Sequence, residues 1–579
     1  MSSFDSNIQR TRSHAFLQAS TSANVGKVSG SSVNSVANNT FGSLKVEPSE
    51  SQLKANVSIE PLSDSVNRAK DTERQTVFGA LSKFKGVDPN LSQKQVLEHL
   101  GENTSVTKNQ VFDFVLQAGQ IDKIIQSNPE DKRSANAEIL NHLREAFKSP
   151  AYEALKTNEE NNTVRFLHDV NLALYTDVDL LDAYDSLGQE LVKGHENESL
   201  HEQLSSVRKE AVEKKGLFSS HSSISYVRKH FKQFFGAFQS QKIGFAFGDY
   251  DPRGNLENNA GKLYTEHLLV GGKKGEAIDV RTPSPTIGAE VSPEFRAAIQ
   301  AIDNQRRSES KGEKGFDRPN AWVYTNYQEM TNKGNGEHQR SLAIMKLNDE
   351  FPDAFIGLTL SKDSAYFLEG LGHGKEMWDD VQGQTFSKNE IPNFIESLKS
   401  VLNKEAHFTL EGRTENKGDG LYFPEKNTHM IDKVAEQTKK YLESITPDGI
   451  SSGKDAWQIK AAGKEFAYAA IQKYVQGEAL SKLAEKGMTP KIITTSACKE
   501  DIDRGFSDHV KRMFLLEKAD DKTLGKMINL PALMARFRVV LEDRIQPLIA
   551  VTKLTGNRAE AKNLLNEVTQ DLNISPAQA

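Results

Sequence analysis

The sequence predicts a multidomain protein of α plus α/β class. A helical bundle lies toward the N-terminus, followed by an α/β domain with a helical C-terminal part. Three observations carry this. The chain has 579 residues, too many for one hydrophobic core, so about two to four domains are expected. Between residues 63 and 220 apolar residues recur at helical spacing. From about Gln241 short β-rich runs alternate with helical ones, the texture of an α/β sheet.

Residues 1–62 are rich in Ser, Asn, Val and Gly, as in Ser29-Gly-Ser-Ser-Val-Asn-Ser-Val-Ala-Asn-Asn-Thr. Such a segment buries too little apolar surface to order itself, so a disordered leader is expected. In 63–220, Gln95-Val-Leu-Glu-His-Leu, Val111-Phe-Asp-Phe-Val-Leu, Ala137-Glu-Ile-Leu-Asn-His-Leu and Val164-Arg-Phe-Leu-His-Asp-Val-Asn-Leu-Ala-Leu place apolar residues at i, i+3, i+4 and i+7. This predicts a bundle of about five to seven helices, suited to positioning or partner binding. Tyr226-Val-Arg-Lys-His-Phe-Lys-Gln-Phe-Phe-Gly-Ala-Phe238 interleaves bases with aromatics. It is either a helix packing its phenylalanines on a neighbour or a peripheral contact with anionic lipid.

The third segment, 221–579, carries the candidate strands Ile243-Gly-Phe-Ala-Phe, Ala321-Trp-Val-Tyr-Thr, Ala354-Phe-Ile-Gly-Leu-Thr-Leu and Lys491-Ile-Ile-Thr-Thr. Helical patterns fall between them around 293–302, 341–347, 391–398 and 461–471. After Arg504 the pattern is helical to residue 579.

Composition narrows the function. Net charge is −6, with 26% charged and 37% hydrophobic residues, which argues against general nucleic-acid binding. A single cysteine excludes an intrachain disulfide framework and a cysteine-rich metal site. No run approaches the roughly 18 apolar residues of a membrane span, and the first residues lack the apolar core of a secretory signal. A soluble protein is expected, not exported by the general secretory route. There is no HExxH and no phosphate-loop Gly-Lys-Ser/Thr.

That one cysteine, Cys498, follows the β-branched run Lys491–Thr495 and stands six residues before Arg504, and a helical pattern over Ser507–Leu516 leads out. Strand, tight loop and helix with this spacing let a loop curl around a tetrahedral oxyanion. Backbone N–H groups point inward, the thiolate lies below, and the guanidinium grips two oxygens. A helix N-terminus favours the anion and lowers the thiol pKa. The competing reading is a buried, inert cysteine at the end of a core strand.

Cys498-Lys499-x-x-x-Asp503-Arg504 resembles the Cys-x5-Arg phosphatase superfamily. It is most similar to bacterial effector phosphoinositide phosphatases, with Cys-Lys-x-Gly-Lys-Asp-Arg-Thr, and to Sac-type lipid phosphatases, with Cys-x-Asp-Cys-x-Asp-Arg-Thr. The resemblance spans about a dozen residues. It implies a phosphatase-like α/β domain over 221–579 with no metal or organic cofactor. Cys498 would be the nucleophile, Arg504 the phosphate clamp and Lys499 the reader of a second phosphate. Glu500, Asp501, Ile502 and Gly505 would complete the substrate loop. Asp501 and Gly505 depart from the pattern, standing where Gly or Cys and Ser or Thr are usual. The substrate so implied is a phosphoinositide or inositol phosphate, with a phosphoprotein second.

A general acid is needed as well. Asp503 is one candidate, by the same resemblance. Asp249 and Asp251, in Gly248-Asp-Tyr-Asp-Pro-Arg-Gly254 after a candidate strand, are others, though Asp-Pro and Arg-Gly also suit a plain turn. Asp317-Arg-Pro and Trp378-Asp-Asp remain open too. Arg281, in Asp279-Val-Arg-Thr-Pro-Ser-Pro285, is a candidate phosphate ligand or part of a proline-pinned structural loop. The leader, lone cysteine and missing signal resemble an effector injected into a host cytoplasm. The rival function is a non-catalytic scaffold binding host partners, with Cys498 structural, or a pseudophosphatase that binds phosphate without turnover.

Overall fold

The computed structural model describes residues 162–176, 198–205 and 261–577, together with isolated positions between 147 and 181. Outside it within the last range are 313–317, 331–335, 369–370, 372–380, 411–419, 500, 502–503, 526 and 528–541. The leader, most of the expected bundle, the 226–238 segment and the candidate strand at 243–247 lie outside the described residues. Nearly all that is described falls in 221–579, and there the α/β expectation holds.

A hairpin begins the sheet. β1 (Gly261–Val270) and β2 (Lys273–Arg281) pair antiparallel. The turn between them, Gly271-Gly272, has φ of +55° and +80°. Two successive residues at positive φ match the twist of a hairpin, and glycine takes that conformation without a Cβ penalty. β3 (Ala321–Asn326), β4 (Phe355–Leu360), β5 (Leu421–Tyr422), β6 (Lys491–Ala497) and β7 (Ile574–Pro576) complete seven strands in the order β7-β1-β2-β6-β3-β4-β5. β2, β6, β3 and β4 run parallel, and the outer pairings are antiparallel. Thus β6, which leads into Cys498, is central. β7 corrects the expectation of unbroken helix after Arg504: Leu268, Leu269 and Val270 of β1 pair with Pro576, Ser575 and Ile574.

Period-two alternation sends β6 side chains to both faces. Ile493 and Ala497 enter one core with Ile278, Val280, Trp322, Tyr324 and Phe355. Ile492 and Cys498 enter the other with Ala277, Val323, Leu358 and Leu360. Helices cover each face, as parallel strands require. On the first face lie α1 (Asn162–Thr176), α2 (Pro293–Ser310) and α3 (Gly336–Met345). Ser292 caps α2 by accepting from the Phe295 N–H, and Pro293 suits its first turn. α1 belongs to the segment expected as a separate bundle, yet Leu172 and Tyr175 share their core with the sheet. Tyr175 meets Trp322 edge to face, with centroids 5.3 Å apart. Leu200 and Leu204 join the opposite core.

The second face carries α4 (Ile391–Leu402), α5 (Thr428–Ile445), the long α6 (Gly453–Glu485), α7 (Arg504–Leu515), α8 (Glu542–Leu554) and α9 (Arg558–Glu567). The chain leaves β2 for α2 and β3 for α3 on the first face, but leaves β6 for α7 on the second. The carboxyl end of β6 is therefore a topological switch point on both sides, where open α/β sheets place their ligands.

Candidate functional site

The loop after β6 is anchored on both flanks. The Tyr327 N–H donates to the Ala497 carbonyl (2.8 Å), and the Ser284 N–H reaches the Cys498 and Lys499 carbonyls at 3.0 and 3.3 Å. Cys498 is 4% exposed and lies in the α6–α7 core. At the far end of the loop Arg504 begins α7.

Of the residues singled out by sequence, the fold brings Arg281, Cys498, Lys499, Asp501, Arg504 and Gly505 to this crevice. Glu500, Ile502, Asp503, Asp249 and Asp251 lie outside the described residues, as do Asp317 and the 378–380 segment. Arg281, 220 positions before Asp501, meets it directly. Its Nε donates to Asp501 Oδ2 at 2.8 Å, and its Nη2 donates to the Asp501 carbonyl. Both side chains are 0% exposed. The Arg281 guanidinium also stacks on Phe506, 4.0 Å from the ring centroid. Burial pushes the Asp501 carboxyl up, against the lowering pull of Arg281. Arg281 is therefore engaged by the loop itself.

Asp501 has φ of +52°, a left-handed conformation that Asp tolerates better than most residues. Its Oδ1 lies 2.0 Å from where a Cβ on residue 505 would stand, and the Ala497 Cα and Ser496 carbonyl oxygen lie 2.9 Å from that point. Only glycine fits. The two departures from the phosphatase pattern, Asp501 and Gly505, thus form one steric pair: the carboxylate occupies the space that a serine or threonine side chain would need.

Arg504 grips carboxylates from two other strand ends. It donates to Glu337 Oε1 at 2.5 Å and Oε2 at 2.9 Å, and it pairs with Asp363. Glu337, in the first turn of α3, also accepts the Glu329 N–H at 3.0 Å. Burial would raise the Glu337 carboxyl, but Arg504 outweighs it and holds the group at about 2. Asp363 sits in the turn after β4 and pairs with Arg544 of α8, whose Nη1 donates to the Lys362 carbonyl at 3.0 Å. Burial lowers Arg544 to about 10.

Beneath α7 runs a layer of buried charge. Asp279 accepts from His509 Nδ1 (2.9 Å), Arg512 (2.5 Å) and the Thr494 hydroxyl (3.0 Å). Asp508 accepts from Ser496 (2.8 Å) and Gln472 (3.0 Å) and pairs with Lys511. Glu465 bridges Lys362 and Lys511, each at 2.7 Å, and Glu266 pairs with Lys473. With Arg281–Asp501 included, five carboxylates meet five lysine and arginine cations.

Glu337, Asp363, Arg544 and, apart from Arg281 and Asp501, the charges of this layer were not found from sequence. Asp363 carried a usable signal, an aspartate three residues past a strand in Ser361-Lys-Asp-Ser. Glu337 and Arg544 sit in helices with nothing in the local sequence to mark them. Among the described residues no helix is long and apolar enough to cross a membrane. No family model matches the chain, and no curated protein or solved structure matches it.

Proposed function

We propose that this chain is a cysteine-dependent phosphatase acting on phosphomonoesters, with a phosphoinositide or inositol phosphate as substrate. The observation that supports it best is position. Cys498 and Arg504 bracket one short loop at the carboxyl end of the central parallel strand, at a double switch point. In the proposed reaction the Cys498 thiolate attacks phosphorus in line and the P–O bond to the leaving group breaks. Arg504 and loop amides hold the equatorial oxygens. An aspartate gives its proton to the leaving alkoxide; Asp503, Asp249 and Asp251 remain the candidates. Water then attacks the phosphocysteine, releasing inorganic phosphate and regenerating the thiolate. On this reading the N-terminal segment serves partner binding and 226–238 meets anionic lipid, as suits an injected effector.

A second reading has a specific observation behind it. Cys498 is buried and Arg504 is already held by Glu337 and Asp363, which favours a phosphate-binding protein without turnover, or a scaffold. Phosphate release from a panel of phosphoinositides, inositol phosphates and phosphopeptides separates these, with Cys498→Ser and Arg504→Ala alongside. Release that both substitutions abolish is the expected result. No release, with Cys498 inert to iodoacetate in the native protein, would remove the phosphatase reading.

A further inference from the structure

Arg504 and Arg544 arrive from different helices, α7 and α8, and converge on one carboxylate, Asp363. The geometry points to a two-guanidinium oxyanion site that Asp363 closes at rest, with a phosphate group as its ligand. The inference rests on the proposed function and deepens it by assigning a second anion-binding residue, Arg544, to the Cys498 loop.

Arg504 and Arg544 each give Asp363 one N–H, and a phosphate, with more oxygens and more charge, can take both guanidinium groups at once. A carboxylate has only two oxygens and one charge, so Asp363 alone leaves the pair with excess positive charge. Glu337 supplies the balance from the other side of Arg504. Arg544 is preorganised: its side chain is 6% exposed, and its Nη1 is fixed by the Lys362 carbonyl. The Lys362 ammonium is itself pinned to buried Glu465 at 2.7 Å.

Asp363 is the replaceable member. Its side chain is 23% exposed, on a short turn whose Asp363 N–H is held by the Ser361 hydroxyl at 3.2 Å. Rotation toward solvent rehydrates one carboxylate and leaves both arginines facing the crevice. The buried Arg281–Asp501 pair has no such exit, with both side chains fully enclosed. A phosphate dianion entering between Arg504 and Arg544 would thus exchange with Asp363 and leave Asp501 in place.

Calorimetric titration of the full chain with inorganic phosphate tests this without requiring turnover. Asp363→Asn, which removes the competing charge while keeping the shape, is expected to tighten phosphate binding about tenfold, the scale of one charged hydrogen bond. Adding Arg544→Gln should erase that gain. Arg544→Lys keeps the charge without the fork and should lose most of it, which serves if the glutamine variant fails to fold. Equal affinity of wild type and Asp363→Asn would overturn the inference, as would a gain that persists in both Arg544 variants. The same titration with a soluble inositol phosphate and with vesicles bearing that headgroup identifies the source: tighter binding to vesicles indicates lipid, equal binding the free phosphate. Failure of the phosphatase reading shows separately, as phosphate binding that depends on Arg544 with no release from any substrate.

Discussion

At residue 505 a single missing Cβ sets the loop's conformation. Any side chain there meets the Asp501 carboxylate at 2.0 Å and backbone atoms of Ala497 and Ser496 at 2.9 Å. Gly505→Ser is expected to cost about 1–3 kcal/mol of stability, the usual range for overpacking a tight site. Asp501→Gly removes one of the clashing groups at a position whose positive φ suits glycine. It also deprives the buried Arg281 of its carboxylate, so it destabilises by itself. The informative quantity is therefore the coupling. Serine at 505 should cost less in the Asp501→Gly background than in wild type, though more than nothing, because the backbone contacts remain. Urea unfolding of the four proteins in that cycle measures it. Strict additivity would show that Asp501 and Gly505 are independent.

The element with the most unusual energetics is α7. Every residue from Arg504 to Leu515 is buried, including Asp508, His509, Lys511 and Arg512. On a surface helix such charges would face water; here α6, the sheet and α8 enclose them. Burial works against each ionised carboxylate, yet Asp508, Asp279 and Glu465 are all held below their ordinary values by adjacent cations. For Asp508 these are Lys511, Arg512 and Lys362; for Asp279, Arg512, with the His509 hydrogen bond acting in the same direction; for Glu465, Lys362 and Lys511. The unfolded chain binds protons at these groups near pH 4, before the folded one does. Their contribution to stability is therefore complete above about pH 4 and is lost as pH falls through the folded values. Asp501 has the opposite sign, because its carboxyl is raised: the cost of its charge is relieved as pH falls. With Glu266, which Lys473 also holds down, four lowered groups in this layer against one raised predict a net loss of stability in acid. Asp508→Asn should destabilise at pH 7 by about 3–5 kcal/mol, since Lys511 and Arg512 lose a buried partner. It should also flatten the decline below about pH 4. Urea midpoints at pH 7 and pH 3.5 test both, and a variant with undiminished acid sensitivity would acquit Asp508.

For the whole molecule, the parallel core was legible and its edges were not. β3, β4 and β6 announce themselves as short β-branched or aromatic runs, because central parallel strands are apolar on both faces. β1 and β2 carry Lys, Glu, His and Asp among their apolar positions, and only the Gly271-Gly272 turn marks the hairpin. The Cys498 loop was found because its spacing is local. Glu337, Asp363 and Arg544 reach the same crevice from distant segments, and a spacing rule cannot see residues that only the sheet order brings together. β7 was missed for a further reason: three residues ending in proline carry too little pattern to mark a strand. Its stability comes from what lies beneath it. Ile574 is 8% exposed and packs in the α6 core. Gly477 of α6 leaves room for it there, since a Cβ on residue 477 would stand 3.1 Å from the Ile574 Cδ1. Ile574→Asp would place a charge in that core, so β7 is expected to detach. The loss of the buried isoleucine alone is worth about 1.5–3 kcal/mol. Detachment also bares the N–H and C=O groups of β1 over Leu268–Val270, a free sheet edge that invites pairing with another chain. The variant should therefore melt several degrees lower and scatter light increasingly with protein concentration. A variant that melts as wild type and stays monodisperse at high concentration would show that β7 is dispensable to the edge it covers.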